Sequence, residues 1–324
     1  MSEEAGKEMD TRQLIVDTAT KMFADHVDKK MLDAAELGEF PDELWQLVVA
    51  NGFHQLGSEG SGTDEADLFA FLMVCGQFAV PLPLAETLLA NIWLAPDDTL
   101  ASIGLVNGNS VRESHWGRAA SRVIGIRPGA SDVLVSLVPE VTNKHSNMGG
   151  EPADEVVLGD STVVSVGPDP YAQLALTRVN LIAGCLQAQL DLGIQFATER
   201  SQFGRMISKF QAIQHSLAVV AAEVAAAKRA ADAAVDAFHD DRFIPEVAAA
   251  KSRVGEAVGT VAEQVHQIHG AMGFTHEHRL HHFSRRTWAW RDAWGNEFEW
   301  QEKLGHHIAN LGADNVWDFI ATRS

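Results

Sequence analysis

Arg200-Ser-Gln-Phe-Gly-Arg-Met-Ile-Ser-Lys-Phe-Gln-Ala-Ile-Gln-His215 is a polar loop set between two long stretches of helical periodicity. Upstream, Asp169 and Pro170 offer an N-cap and a first helical position, and apolar-periodic sequence then runs over 172–199. Phe203-Gly204 interrupts that pattern. Ser208 is the expected start of the next helix, which continues past Ala231, and Ser208-x-x-Gln211 reads as a capping box. On residues alone, the stretch is a helix–loop–helix connection inside a bundle.

Downstream, residues 219–234 are alanine-rich on every helical face, which lets neighbouring helices approach closely. Pro245 and Glu246 begin a further helix that extends to about His269, and Gly270 and Gly273 mark a turn. Helical pattern then covers 280–294 and about 298–311. The N-terminal part is also helical. Leu14, Ile15, Ala19, Met22 and Phe23 repeat at helix spacing, Pro41 opens a second helix, and Asn51-Gly52 closes it where a left-handed cap is wanted. Between these regions the character changes. Short β-type runs at 123–126, 133–138, 156–158 and 163–166 are separated by Gly, Pro, Asn and Asp, which predicts a small antiparallel sheet. The expected architecture is mainly α: an N-terminal helical domain over 1–97, a small middle β domain over 98–168, and a C-terminal four-helix bundle over 169–324.

The 324 residues are 46% hydrophobic, enough for more than one packed unit. The 44 acidic residues outweigh 25 basic ones, for a net charge of −19, which argues against nucleic acid or an anionic membrane as the main partner. It leaves room for an anionic cofactor held by one arginine and a few backbone N–H groups. The N-terminal residues lack the apolar core of a signal peptide and no run is long enough to span a bilayer, so a cytoplasmic protein is expected. Cys75 and Cys185 both lie in apolar helical pattern and are expected to be buried thiols.

Two blocks carry a resemblance. Arg200-x-Gln-Phe-Gly-x-x-Ile-x-x-Phe-Gln211 is similar to the segment by which acyl-CoA dehydrogenases hold FAD across a subunit interface. Gln267-Ile-His-Gly-Ala-Met-Gly-Phe-Thr-x-Glu277-His follows at the matching distance. The resemblance implies FAD as cofactor, with Arg200, Gln202, Phe203 and Gln211 at its adenosine–pyrophosphate end and Gln267, Gly270 and Ala271 completing that end. Arginine suits a pyrophosphate because its fork makes two charge-assisted bonds, and glycine because a backbone without Cβ can approach closely. Ala271 departs from the second glycine usual in the family. The middle domain also departs. It normally carries a Trp beside a Thr or Ser at the flavin ring, whereas Trp116 stands in an unrelated Trp-Gly-Arg context.

Such an enzyme abstracts the proton alpha to the thioester with a carboxylate, while the flavin takes the beta hydride. The resemblance places that carboxylate at either of two positions, and neither holds one. Thr177 occupies the first, and Trp294 or Trp300, depending on register, occupies the second. Glu297 and Glu299 lie nearby, where a shifted loop could present one of them as the base, with solvated acids as their plain reading. No catalytic residue is therefore assigned. His276, Glu277, His278, His281 and His282 place two histidines one helical turn apart, but no complete ligand set is visible and the family uses no metal, so none is expected. Trp288, Trp290, Trp294 and Trp300 read as core or interface packing.

The missing base and the Arg285-Arg-x-x-x-Trp-Arg…Gly-x-Glu-x-x-Trp ending resemble the smaller subunits of hetero-oligomeric dehydrogenases, several of which act on steroid-derived CoA thioesters. The implied function is a subunit that donates the ADP-binding half of an FAD site to a larger acyl-CoA dehydrogenase chain in an α2β2 heterotetramer. The complex would form the 2,3-double bond of an acyl-CoA and pass electrons to an electron-transfer-flavoprotein-type acceptor. The alternative is a non-catalytic binding or structural homo-oligomer of the same fold.

Overall fold

The computed structural model describes residues 2–167 and 169–322. Five helices come first: α1 (Ser2–His26), α2 (Lys29–Glu36), α3 (Asp42–Ala50), α4 (Glu65–Phe78) and α5 (Leu84–Trp93). The α1 face turns Ile15, Ala19, Met22 and Phe23 inward, whereas Leu14 points out. Asn51 and Gly52 end α3 as expected, Gly52 in the left-handed region at φ 72°. Asp64 and Asp67 form a capping box at the start of α4.

Seven strands follow in one sheet: β1 (Ala101–Asn107), β2 (Ser110–His115), β3 (Arg122–Ile126), β4 (Asp132–Ser136), β5 (Glu140–Asn143), β6 (Ala153–Val157) and β7 (Ser161–Ser165), in the order β5-β6-β2-β1-β3-β4-β7. The expected antiparallel sheet is in fact mixed, because β1 pairs with β3 in parallel. The intervening hairpin of β1 with β2 returns the chain to the far side of β1, so β3 must enter in the same direction as β1. The pairing of β2 with β6 shifts register between Val111 and Ser114, where Glu113 adopts a φ of 56°. This bulge bends β2 just before His115.

The C-terminal helices are α6 (Pro170–Glu199), α7 (Gln211–Asp236), α8 (Phe243–His269), α9 (Leu280–Asp292), α10 (Glu297–Leu311) and α11 (Val316–Thr322). The Asp169 carboxylate accepts from the Ala172 N–H at 2.9 Å and Pro170 opens α6, as the sequence predicts. A two-residue hairpin, β8 (Ser201–Gln202) with β9 (Arg205–Met206), joins α6 to α7. Its turn residues Phe203 and Gly204 both have positive φ, 52° and 77°, the signature of a mirror-type turn. The capping box expected from Ser208 does not form. Residues Ile207–Lys209 make a 3-10 turn, and α7 starts at Gln211 with no side-chain cap. The extended backbone of Phe210 that follows the turn ends any helical continuation, which frees Gln211 from a capping role.

Helices α4 and α6 cross through two glycines. A Cβ on Gly76 would lie 2.0 Å from the Leu181 carbonyl oxygen, and one on Gly184 would lie 1.8 Å from that of Met73. The alanine-rich α7 packs Val220, Val224, Ala227, Ala231 and Ala234 against the valines of α8. Cys75 and Cys185 are buried free thiols, as expected. No helix among the described residues is long and apolar enough to cross a membrane.

Candidate functional site

The hairpin after α6 and the turn after α8 face each other across a surface cleft of about 520 Å³. Arg200, Gln202, Phe203, Gln267, Gly270 and Ala271 all line it. Gln211 does not, standing instead on the exposed first turn of α7 beside it. The hairpin is the device that gathers the upstream group. The Ile207 N–H donates to the Arg200 carbonyl at 2.8 Å, and the Arg205 guanidinium lies over the Phe210 ring at 4.2 Å. The Phe203 ring is 91% exposed and meets the Phe210 ring edge-on at 6.2 Å. Gly270 has φ 56° and ψ −139°, a conformation that side-chain-bearing residues rarely adopt, and nothing lies within 4 Å of where its Cβ would be. It is an open backbone edge.

Among the described residues, the side chains of Arg200, Gln202, Gln211 and Gln267 make no hydrogen bond or ion pair with the protein. One cation and three amides therefore converge on or beside one cleft with their polar atoms unengaged. That donor set fits the pyrophosphate and adenosine of FAD: charge-assisted bonds from arginine, amide donors and acceptors for sugar and base, and a flat apolar ring for stacking.

His269 forms the floor of this cleft and was not singled out from sequence, where it looks like any residue of a helix end. It is 3% exposed, stacks on Phe196 at 4.5 Å between centroids, and directs Nδ1 to the Val265 carbonyl at 2.8 Å. Burial lowers its pKa to about 4, so the ring is neutral at neutral pH. With Nδ1–H donating to the carbonyl, the buried Nε2 holds a lone pair that no protein donor meets.

A second cavity, about 270 Å³, lies where β2, α6, α9 and the 146–152 loop meet. Glu113, His115, Glu151, Arg178, Trp290 and Trp294 are among its walls. Ionic groups crowd the base of this cavity. Arg178 pairs with Glu86, itself 1% exposed. Burial pushes the Glu86 carboxyl up, but the Arg178 charge and the neighbouring His115 outweigh that and hold it at about 2. His115 sits between two carboxylates, Nδ1 at 3.6 Å from Glu86 and Nε2 at 3.6 Å from Glu151. Glu151 accepts from Trp290 Nε1 at 2.8 Å and from Asn147 Nδ2 at 3.0 Å, and Arg286 lies 3.9 Å away. Burial opposes ionisation of Glu151 too, yet its carboxyl is held below the usual range by His115 and Arg286. Both acids are thus weak bases, committed to partners.

The two positions where the resemblance seeks a base flank this second cavity. Thr177 is buried and donates to the Leu174 carbonyl at 2.6 Å, while Arg178, one residue on, lines the cavity. Trp294 lines it from the other side with φ 60°, its carbonyl accepting from Trp300 Nε1 at 2.9 Å. Trp300 is fully buried and stacks on Tyr171 at 6.0 Å. Glu297 and Glu299 are not in the cavity wall. Both lie in the first turn of α10, where the helix dipole favours acids. Glu297 is tied to Arg291 at 2.8 Å, and the Glu299 N–H is capped by Asn296 at 3.1 Å. Trp116 is core: 1% exposed, with Phe40 edge-on at 5.2 Å.

Comparison with known proteins identifies residues 171–297 with the family model described as "Acyl-CoA dehydrogenase, C-terminal domain". The chain is 25% identical over 301 residues to acyl-CoA dehydrogenase IpdE2 of Mycobacterium tuberculosis, covering 85% of this chain and 90% of that protein. Among solved structures it is similar to the ChsE4–ChsE5 complex of Mycobacterium tuberculosis, with a TM-score of 0.81 and 18% identity over 93% of this chain and 98% of the other. It is equally similar to the Tcur3481–Tcur3483 steroid ACAD, with a TM-score of 0.81 and 19% identity over the same shares. At these identities the structural likeness establishes the fold. Residues 171–297 belong to the acyl-CoA dehydrogenase C-terminal domain family, and the chain around them has the acyl-CoA dehydrogenase fold.

Proposed function

We propose that this chain is a subunit of an FAD-dependent acyl-CoA dehydrogenase, and that it supplies the adenosine–pyrophosphate half of an FAD site whose flavin end and catalytic base belong to a larger, related chain. The observation that carries this reading is the contrast between the two cavities. In the outer cleft, Arg200, Gln202 and Gln267 are unengaged and Gly270 offers an open backbone edge, with Gln211 unengaged beside it. In the inner cavity, Arg178 pairs with Glu86, His115 stands 3.6 Å from both Glu86 and Glu151 without a hydrogen bond to either, and tryptophan stands where a base would be. The outer half-site is ready for a ligand; the inner one keeps its carboxylates beside an arginine and a histidine and has no carboxylate at the base position.

When bound, the flavin supplies a hydride acceptor. This chain's part is then to bind and orient. Arg200 would take pyrophosphate oxygens in a two-pronged bond, and Phe203 would cover an aromatic face. Gly270 would let the backbone reach the phosphates, and the buried His269 ring would floor the cleft beneath them. Two of the similar folds come from assemblies of two unlike chains, which supports a hetero-oligomer. That one of them is a steroid ACAD supports a steroid-derived acyl-CoA as the substrate class, oxidised to its 2,3-unsaturated product with electrons passed to an electron-transfer-flavoprotein-type acceptor.

Expression alone and together with the larger dehydrogenase chain tests the reading. The chain alone should be colourless; the co-purified complex should be yellow and oxidise acyl-CoA. A yellow, active oligomer of this chain alone would overturn it.

A further inference from the structure

The first turn of α9 meets α2 at a point that the flavin reading does not use. There a carboxylate oxygen of Asp33 and one ring nitrogen each of His281 and His282 lie within 4.8 Å of one another. The sequence shows only the two histidines; the third group arrives from about 250 residues away in the chain, which is why no ligand set is visible from spacing.

The protonation geometry favours a metal. His281 directs Nδ1 to the His278 carbonyl at 2.8 Å, and His282 directs Nδ1 to the Glu36 carboxylate at 2.7 Å. Both partners are acceptors only, so in the neutral rings Nδ1 carries the proton and Nε2 carries the lone pair. A histidine whose second nitrogen donates to a carboxylate or carbonyl is the arrangement that orients and strengthens imidazole ligands. His282 is fully buried, and its Nε2 has no hydrogen-bond partner. That Nε2 faces Asp33 Oδ1 at 3.1 Å without hydrogen-bond alignment. Ligands about 2.0–2.2 Å from a tetrahedral zinc stand roughly 3.3 Å apart, so the observed separation is already close to that of two zinc ligands. Asp33 presents this oxygen because its other one, Oδ2, is occupied by Lys29 Nζ at 2.6 Å.

We propose that Asp33, His281 and His282 form a binding site for a borderline divalent transition ion of the zinc class, with water completing the shell. Two imidazoles and one carboxylate suit such an ion and not magnesium or calcium, which take oxygen ligands. The ion would clamp α2 of the N-terminal helices to the start of α9, alongside the Arg285–Glu36 ion pair at 2.9 Å. The proposal is independent of the flavin site.

The test uses the full chain, with its partner if the two co-purify, stripped with chelator and dialysed against micromolar zinc. One zinc per chain should be retained beyond the level in Asp33→Asn, and zinc should raise the melting temperature of the wild type but not of that variant. Asp33 is half-exposed, so the substitution is compatible with folding. His282→Gln should weaken uptake at least tenfold, and Lys29→Met should strengthen it by removing a competing cation from Asp33. Magnesium should produce no shift. Failure to retain stoichiometric zinc, or equal retention by the wild type and Asp33→Asn, would overturn the assignment.

Discussion

The indole N–H of Trp290 donates to a carboxylate oxygen of Glu151 at 2.8 Å, with Trp290 4% and Glu151 3% exposed. This bond ties α9 to the loop before β6 beside the inner cavity that both residues line. It helps to commit Glu151 to the fold and away from proton transfer.

Trp290→Phe keeps an aromatic ring and removes the donor. A hydrogen bond to a charged group is worth about 1.5–3 kcal/mol, so the variant should lose roughly that much in denaturant unfolding. Flavin content and turnover of the assembled enzyme should stay within about twofold of wild type, because the bond lies away from the outer cleft proposed to hold the cofactor. A large fall in turnover with the complex intact would place chemistry in this cavity.

The outer cleft was legible in the sequence because its residues come from two short local blocks whose backbone needs are written in them. Asp169-Pro170 starts α6, Phe203-Gly204 turns the hairpin, and Gly270 takes a conformation suited to glycine. The inner cluster was not legible. Glu86 and Arg178 are 92 positions apart and Glu151 and Trp290 are 139 apart, so no window contains the pattern. Glu86 in particular reads as an interruption of an apolar run until Arg178 is seen beside it. Strands β1, β2 and β5 carry a weak sequence signal, since Gly104, Ser110, Glu113 and Asn143 break their alternation, and parallel pairing leaves no local trace.

Arg200→Ala should weaken FAD retention by roughly tenfold or more, the equivalent of one charge-assisted bond of about 1.5–3 kcal/mol. Arg200→Lys should recover part of this, because a single ammonium keeps the charge but loses the fork. Flavin release during dialysis of the complex measures both, and unchanged occupancy in the alanine variant would remove Arg200 from the site.

Glu297→Gln and Glu299→Gln should leave turnover near wild type. Loss of a true general base costs about 10²–10⁴ in rate. Glu297 is instead an ion-pair partner of Arg291, so its substitution should show a modest loss of stability. Steady-state rates of the two variants decide the point; a fall of the size quoted in either one would identify the base.

Glu86 links stability to acid pH. Its pKa is lowered from 4.5 to about 2 in the fold, so the unfolded chain binds the proton more readily. The ionised carboxylate therefore stabilises the protein above pH 4.5, and this contribution is lost as pH falls from 4.5 towards 2. Glu86→Gln leaves Arg178 buried without its charge partner and should cost about 3–5 kcal/mol at neutral pH. The gap between wild type and variant should narrow through that acid window. A gap independent of pH would show that the pair is not ionised in the fold.

Counting flavin in the purified complex decides whether one FAD site is divided between two unlike chains. If this chain carries only the adenosine–pyrophosphate half, the complex should hold about one FAD per pair of unlike chains, and Arg200→Ala in this chain should speed the loss of that FAD on dialysis. Two FAD per pair, or unchanged retention after Arg200→Ala, would contradict this division.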